Sequence, residues 1–250
     1  MSSDFSYRDY VSDTTFLEGY NAYQARYAER IRESDKVIIG MVAEAVAQSE
    51  GRRLRVLDIG CSTGNLLLHL KRLVPDADYV GGDLAESSLA ECRNNPDLGG
   101  IAFNALDISD LPPESYDIVV INAVLYMFDE AQYAKALRSI AGALRPGGQA
   151  VIYDFAHKFE HQNIVIFETS VMHPEGLRLC FRPMKYITRH MLDAGLATPA
   201  FFPFELPIEL PKPGYDEEVV TYTVNSQDDG RMMFRGALYQ PWCHMTARKS

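Results

Sequence analysis

Basic residues are in short supply. Lys and Arg number 24 against 34 Asp and Glu in 250 residues, a formal charge of −10. A domain built around a nucleic-acid backbone carries a basic excess or a basic stripe. Neither is found along this chain, so no nucleic-acid partner is expected. Cysteine is as sparse. Cys61, Cys92, Cys180 and Cys243 stand far apart, without CxxC or Cys/His spacing. That argues against a structural zinc site and for reduced thiols in a cytoplasmic protein. No charge-free window is long enough to span a bilayer, so no membrane partner is expected. Met1 to Asp13 lacks the basic start and apolar run of a secretory leader. Internal repeats and low-complexity tracts are missing too. What is left, with 47% hydrophobic and 23% charged residues, is an ordinary globular composition, long enough for one domain over 1–250 with a sizeable core.

The chain reads in three parts. Residues 1–50 are helical in pattern and form an N-terminal cap. Phe16, Tyr20, Tyr23 and Tyr27 recur at helical spacing on one face, either as core or as a lid over a ligand. A second run, Val37 to Val46, stops near Gly51. Residues 51–155 alternate strands and helices: Arg53 to Ile59, Asp78 to Asp83, Ile101 to Ala105, Tyr116 to Asn122 and Gln149 to Phe155 are strands, and Asn65 to Leu73, Ser87 to Arg93 and Glu130 to Leu144 are helices. This order predicts a parallel sheet with helices on both sides. Residues 156–250, the acceptor-side half, break the alternation. Pro183 to Ala194 reads as a helix capped by Gly195, followed by strands at Phe201 to Leu206, Val219 to Val224, Arg231 to Leu238 and Trp242 to Ala247. Ser226 to Gly230 is a hairpin turn. The expected fold is α/β: a doubly wound, Rossmann-like, mostly parallel sheet with an antiparallel final strand, an N-terminal helical cap and a C-terminal β-hairpin insertion. The insertion, residues 207–239, either shapes an acceptor pocket or forms a homodimer arm.

The first strand runs into the first helix through Val56-Leu57-Asp58-Ile59-Gly60-Cys61-Ser62-Thr63-Gly64-Asn65. Small residues here let a ligand approach the backbone, and the helix start offers free N–H groups. Asp83 ends the second strand nineteen residues after Gly64. It can accept from a ribose diol or cap the next helix. Asp107 and Ile108 follow the third strand, Asn122 ends the fourth and Asp154 the fifth. Open parallel sheets bind ligands at this edge. The turn does not follow Gly-x-Gly-x-x-Gly, which counts against a nicotinamide or flavin site.

On these residues, segment 53–155 resembles the nucleoside-binding half of the class I S-adenosylmethionine-dependent methyltransferases. Gln240 to Met245 is similar to that family's closing strand. The resemblance implies S-adenosyl-L-methionine as cofactor and methyl transfer to oxygen or nitrogen of a small molecule, with a sugar or secondary metabolite suggested by analogy. It places Asp58, Gly60, Cys61, Ser62 and Gly64 at the methionine end of the cofactor. Asp83, with Leu84 beside it, goes to the ribose, Asp107 and Ile108 to adenine, and Asn122 near the methionine amino group. Ser62 departs from the glycine common at the centre of the family's turn. The chemistry needs an aligned nucleophile and excluded water, with no metal. For a hydroxyl acceptor, Asp154 and His157 are the candidate bases, although His157 also reads as a solvated loop histidine. Arg182 receives no role. The alternatives are a non-catalytic cofactor-binding regulatory subunit, transfer of another group from a modified cofactor and, at the level of fold, a nicotinamide-dependent oxidoreductase.

Overall fold

A computed structural model describes residues 6–11, 17, 19, 21–22, 24, 26–159, 164–168, 176–212, 221–227, 230–236 and 238–250. Of the aromatic stripe, Phe16, Tyr20 and Tyr23 lie outside the described residues. So does Val219 of the strand expected from Val219 to Val224.

Helix α1 (Glu33–Ala47) buries Ile38, Ile39 and Val42 on one face. It leads into the expected alternation: β1 (Leu54–Ile59), α2 (Asn65–Leu73), β2 (Ala77–Asp83), α3 (Glu86–Asn94), β3 (Ala102–Ala105), β4 (Tyr116–Asn122), α4 (Glu130–Ala143) and β5 (Leu144–His157). Asp129 starts α4 with a reciprocal capping box to Gln132. The run Ile118-Val119-Val120-Ile121 is buried on both faces, as an uninterrupted apolar strand should be. Val119 and Ile121 meet Leu137 and Ile140 of α4, while Ile118 and Val120 belong with Ile38, Leu67 and Leu89 of α1, α2 and α3.

The second half begins with β6 (Ile164–Glu168) and β7 (Leu177–Pro183), an antiparallel pair with no strand signal in the sequence reading. Then come α5 (Met184–Asp193), β8 (Ala200–Pro203), β9 (Thr221–Ser226), β10 (Gly230–Arg235), β11 (Leu238–Tyr239) and β12 (Trp242–Arg248). The main sheet has the order β3-β2-β1-β4-β5-β12-β8. Strands β1 to β5 run parallel. β12 lies antiparallel between β5 and β8, which is the expected antiparallel finish. The expected hairpin is β9–β10, pairing Ser226 with Gly230. β11 extends it to a separate three-stranded sheet.

The strand expected from Phe201 to Leu206 ends at Pro203, and the run Arg231 to Leu238 is split between β10 and β11; the change in length of β5 moves two candidate residues. β5 starts at Leu144, with a register break opposite Tyr116 and Ile118, and continues to His157 because Ala156 and His157 pair with Arg182 and Pro183 of β7. Asp154 is therefore inside the strand, not at its end. His157 is its last residue, not a loop residue beyond it. Among the described residues, no helix is long and apolar enough to cross a membrane.

Candidate active site

Strand order reverses between β2 and β4, on either side of β1, and the glycine turn emerges at that point. The turn uses left-handed backbone at Gly60 (φ +80°), Ser62 (φ 48°) and Gly64 (φ +76°). A Cβ on Gly60 would lie 2.6 Å from Cγ2 of Val124, and one on Gly64 2.9 Å from Leu98. Both glycines are thus fixed by conformation and by contact. Ser62 carries the conformational cost of a side chain there, on the order of 1–2 kcal/mol, and its N–H donates to Asp83 Oδ2 at 2.8 Å.

Asp83 Oδ1 accepts the Ala85 N–H at 2.9 Å. Its carboxylate is not the N-cap of α3, a position that falls to Ala85. Burial pushes its carboxyl up. Two hydrogen bonds thus orient the carboxylate on the wall of a cleft. Gly60, Ser62, Asp83, Leu84, Ile108 and Asn122 all line this cleft. Most other lining groups are apolar or aromatic, among them Leu106, Val124, Met127 and Phe128, with Tyr7 and Leu17 from the N-terminal segment. The mostly apolar lining with a few convergent polar groups suits a nucleoside ligand.

A smaller cavity adjoins it, sharing Gly60, Ser62 and Asn122, and adds Asp58 and Cys61 with Asp35 and Arg32 of the N-terminal region. Asp58 is 2% exposed, and its Oδ1 is buried without a hydrogen-bond partner among the described residues. Burial, then the charges of Asp35 and Asp83, push its carboxyl up to about 8. Asp35 accepts from Asn122 Nδ2 at 3.0 Å. The Cys61 thiol donates to the Ser62 carbonyl, as Cys92 does, and the neighbouring Cys92 and burial push it well up, away from the reactive thiolate.

Gly64 and Asp107 line neither cavity. Gly64 backs the turn. Asp107 accepts from the Tyr7 hydroxyl, the Arg8 guanidinium and the Ser109 N–H, while its neighbours Leu106 and Ile108 face the cleft. Asp154 and His157 line neither cavity either, and both are 4% exposed. Asp154 accepts the Tyr126 N–H at 3.0 Å and the Phe155 N–H at 2.7 Å. Burial pushes its carboxyl up to about 7 against these bonds and the charge of Arg182. The residues that the sequence reading brings together are thus the cofactor set without Gly64 and Asp107, and not the two base candidates.

Three residues that the sequence reading left without a role matter here. Asp35 lies on the buried face of α1, spaced three, four and seven residues before Ile38, Ile39 and Val42. An acid in an apolar stripe is the signal that would have found it. Arg182 is 3% exposed. It donates to the carbonyls of Leu125, at 3.1 Å, and Phe128, and its guanidinium sits 4.1 Å from the Tyr133 ring centre. Arg178 donates to the Met127 carbonyl at 2.8 Å. With Asp154, these two arginines of β7 hold the irregular backbone of residues 125–128, a wall of the main cleft.

The arrangement is that of a nucleoside-binding doubly wound fold in which the glycine turn, an acid ending β2 and an amide ending β4 converge. Residues 56–148 match a family described as a methyltransferase domain. Demethylmenaquinone methyltransferase of Thermus thermophilus is 35% identical over 105 residues, 40% of this chain and 47% of that protein. Trans-aconitate 2-methyltransferase of Methylobacterium nodulans is 38% identical over 95 residues, 38% of this chain and 35% of that protein. The chain thus spans half the length or less of these curated relatives. Among solved structures, Burkholderia thailandensis 1,6-didemethyltoxoflavin-N1-methyltransferase, with its substrate and S-adenosylhomocysteine bound, aligns with TM-score 0.55 and 17% identity, over 95% of this chain and 86% of that one. Human N-acetylserotonin methyltransferase in complex with SAM aligns with TM-score 0.59 and 14% identity, over 96% and 57%. At these identities the solved structures establish a shared fold. Residues 56–148 thus match a methyltransferase domain, on a fold shared with solved S-adenosylmethionine-dependent methyltransferases.

Proposed function

We propose that the protein binds S-adenosyl-L-methionine across the two adjoining cavities and transfers its methyl group to an oxygen or nitrogen of a small molecule. The observation that carries this reading is the pair of carboxylates on either side of the glycine turn. Asp83 is oriented on the cleft wall by two backbone N–H groups, and Asp58 has a buried oxygen with no partner among the described residues. Such an oxygen is costly unless a donor or cation reaches it. The cofactor has what both need: a ribose diol for Asp83 and an ammonium for Asp58. Leu84, Leu106 and Ile108 supply the apolar walls for adenine, and Arg32 a positive charge for the carboxylate end.

When bound, the cofactor supplies a methyl made electrophilic by its sulfonium. The chain's own residues orient it and keep water away, with Tyr7, Leu17, Met127 and Phe128 closing the cleft. Asp154, with both oxygens engaged by backbone donors, acts by holding residues 125–128. His157, buried at the end of β5 and outside both cavities, is not placed to serve as base for an acceptor bound there. A small acceptor is supported by the acidic charge of the chain and by the similar proteins, whose names specify trans-aconitate and 1,6-didemethyltoxoflavin. No described residue of the β9–β11 sheet lines either cavity, which favours a homodimer arm over a pocket wall. A monomer in analytical ultracentrifugation would remove that reading. The cofactor assignment is tested by calorimetry with S-adenosylhomocysteine and with NAD. The expected result is saturable binding of the first alone, and preference for NAD would reverse it.

A further inference from the structure

The smaller cavity holds more acid than a nucleoside site needs. Asp58 ends in it with a bare buried oxygen, and Ser62 Oγ and Thr63 Oγ1 beside it are also buried without partners among the described residues. Asp35 enters from α1, 2% exposed, its Oδ1 tied to the Asn122 amide. Two carboxylates shut off from solvent repel each other and cannot both hold charge cheaply. Three groups set their charge balance. Arg32 of the N-terminal segment and His69 of α2 face Asp35, and Asp83 of β2 adds negative charge at Asp58. The cavity thus wants one compact cation with several N–H donors.

We propose that Asp35 completes, with Asp58, a closed seat for the ammonium group at the methionine end of the cofactor, and that this seat releases a proton to solvent as the ammonium enters. The inference rests on the cofactor reading above and extends it to a helix outside the glycine-turn segment. In the ligand-free protein the pair keeps a proton, because burial and mutual repulsion disfavour a second charge; Asp58, pushed up to about 8, is the holder. An arriving ammonium reverses that balance, so the proton leaves. The sign follows directly: affinity for ligands bearing the ammonium rises with pH below about pH 8, by up to about tenfold per pH unit when one full proton is released.

The test uses two ligands with the same adenosine and thioether. S-Adenosylhomocysteine carries the amino-acid end and 5′-methylthioadenosine lacks it. Calorimetry of the full chain near pH 7, in buffers of differing ionisation enthalpy, should show net proton release for the first ligand and none for the second. Asp35→Asn should weaken S-adenosylhomocysteine by about tenfold or more, reduce its proton release, and leave methylthioadenosine within about twofold. The wild-type proton count stands even if a variant fails to fold. Binding of S-adenosylhomocysteine with no proton release, or with its affinity unaltered in folded Asp35→Asn, overturns the seat and leaves the cofactor reading intact. Failure of both ligands to bind the wild type overturns both.

Discussion

The Tyr7 hydroxyl donates to the Asp107 carboxylate, 3.3 Å from each oxygen, and joins the N-terminal segment to the end of β3. Arg8 pairs with the same carboxylate, and the Tyr7 ring lies 4.7 Å from that of Phe128. Asp107 was expected to face adenine. Its observed partners make it the anchor of a segment that closes the cleft. Tyr7→Phe keeps the ring contact and removes the hydrogen bond, so it should speed hydrogen exchange in residues 6–11 and lower S-adenosylhomocysteine affinity a few-fold. Asp107→Ala should do more, and should also lose discrimination between the adenine and hypoxanthine forms of the ligand if the carboxylate reaches the exocyclic amine. Unaltered exchange in both variants would mean that the anchor contributes nothing.

Asp83→Ala removes the acceptor assigned to the ribose and the bond that steadies Ser62. Hydrogen bonds to a charged group are worth about 1.5–3 kcal/mol, so binding of S-adenosylhomocysteine should weaken by roughly tenfold or more. Calorimetry on a folded variant decides this, and parental affinity would take the ribose away from Asp83.

Arg182 and Asp154 both hydrogen-bond the same short stretch of backbone, residues 125–128. Arg182→Met leaves the Leu125 and Phe128 carbonyls without their donor and Asp154 without its nearby cation. Leaving a buried acceptor without its donor costs about 1–3 kcal/mol, and two lose theirs here. Asp154→Asn keeps an acceptor and should cost less, about 1–3 kcal/mol. The single tryptophan, Trp242, lies edge-on to Tyr126 at 6.1 Å and against Phe155 at 4.1 Å. Its emission should therefore shift in both variants. Denaturant unfolding followed at Trp242 gives both quantities, and an Arg182→Met protein with parental stability and emission would contradict a holding role for Arg182.

Buried carboxyls also set a pH dependence of stability. Asp58 and Asp154 are pushed up to about 8 and about 7, above the unfolded value near 3.9. The native state then holds more protons, so this contribution is complete at low pH and is lost as pH rises through the folded values. His244, lowered to about 4 chiefly by burial, acts oppositely, but only below its unfolded value near 6.5. Between about pH 7 and about pH 8.5 the carboxyls prevail. The ligand-free thermal midpoint should fall across that window, and Asp58→Asn should flatten the fall. A midpoint that rises there would show that neither group is protonated in the native state.

Much of the cofactor half was legible because its signals are local. The four-residue apolar core of β4 and the glycine turn each state their structure within a few residues. The second half was not. β7 reads Leu177-Arg178-Leu179-Cys180-Phe181-Arg182-Pro183, with two arginines that resemble solvent-facing residues. They are tolerated because their partners are backbone carbonyls of residues 125–128, about fifty positions earlier. Missing β7 also ended β5 too soon, since Ala156 and His157 are held in the strand only by that neighbour. Asp35 was hidden for the same reason: nothing within α1 says that Asn122 and Asp58 lie across from it.

The central claim is methyl transfer from S-adenosyl-L-methionine out of the cleft at the glycine turn. Its most direct test incubates the full chain with methyl-labelled S-adenosyl-L-methionine and pools of small hydroxyl- and amine-bearing metabolites, with Asp83→Ala alongside. Label should move to at least one acceptor, with S-adenosylhomocysteine formed in equal amount, and Asp83→Ala should slow that transfer at limiting cofactor. Tight cofactor binding with no labelled product from any pool, or label carried as a group other than methyl, would contradict it.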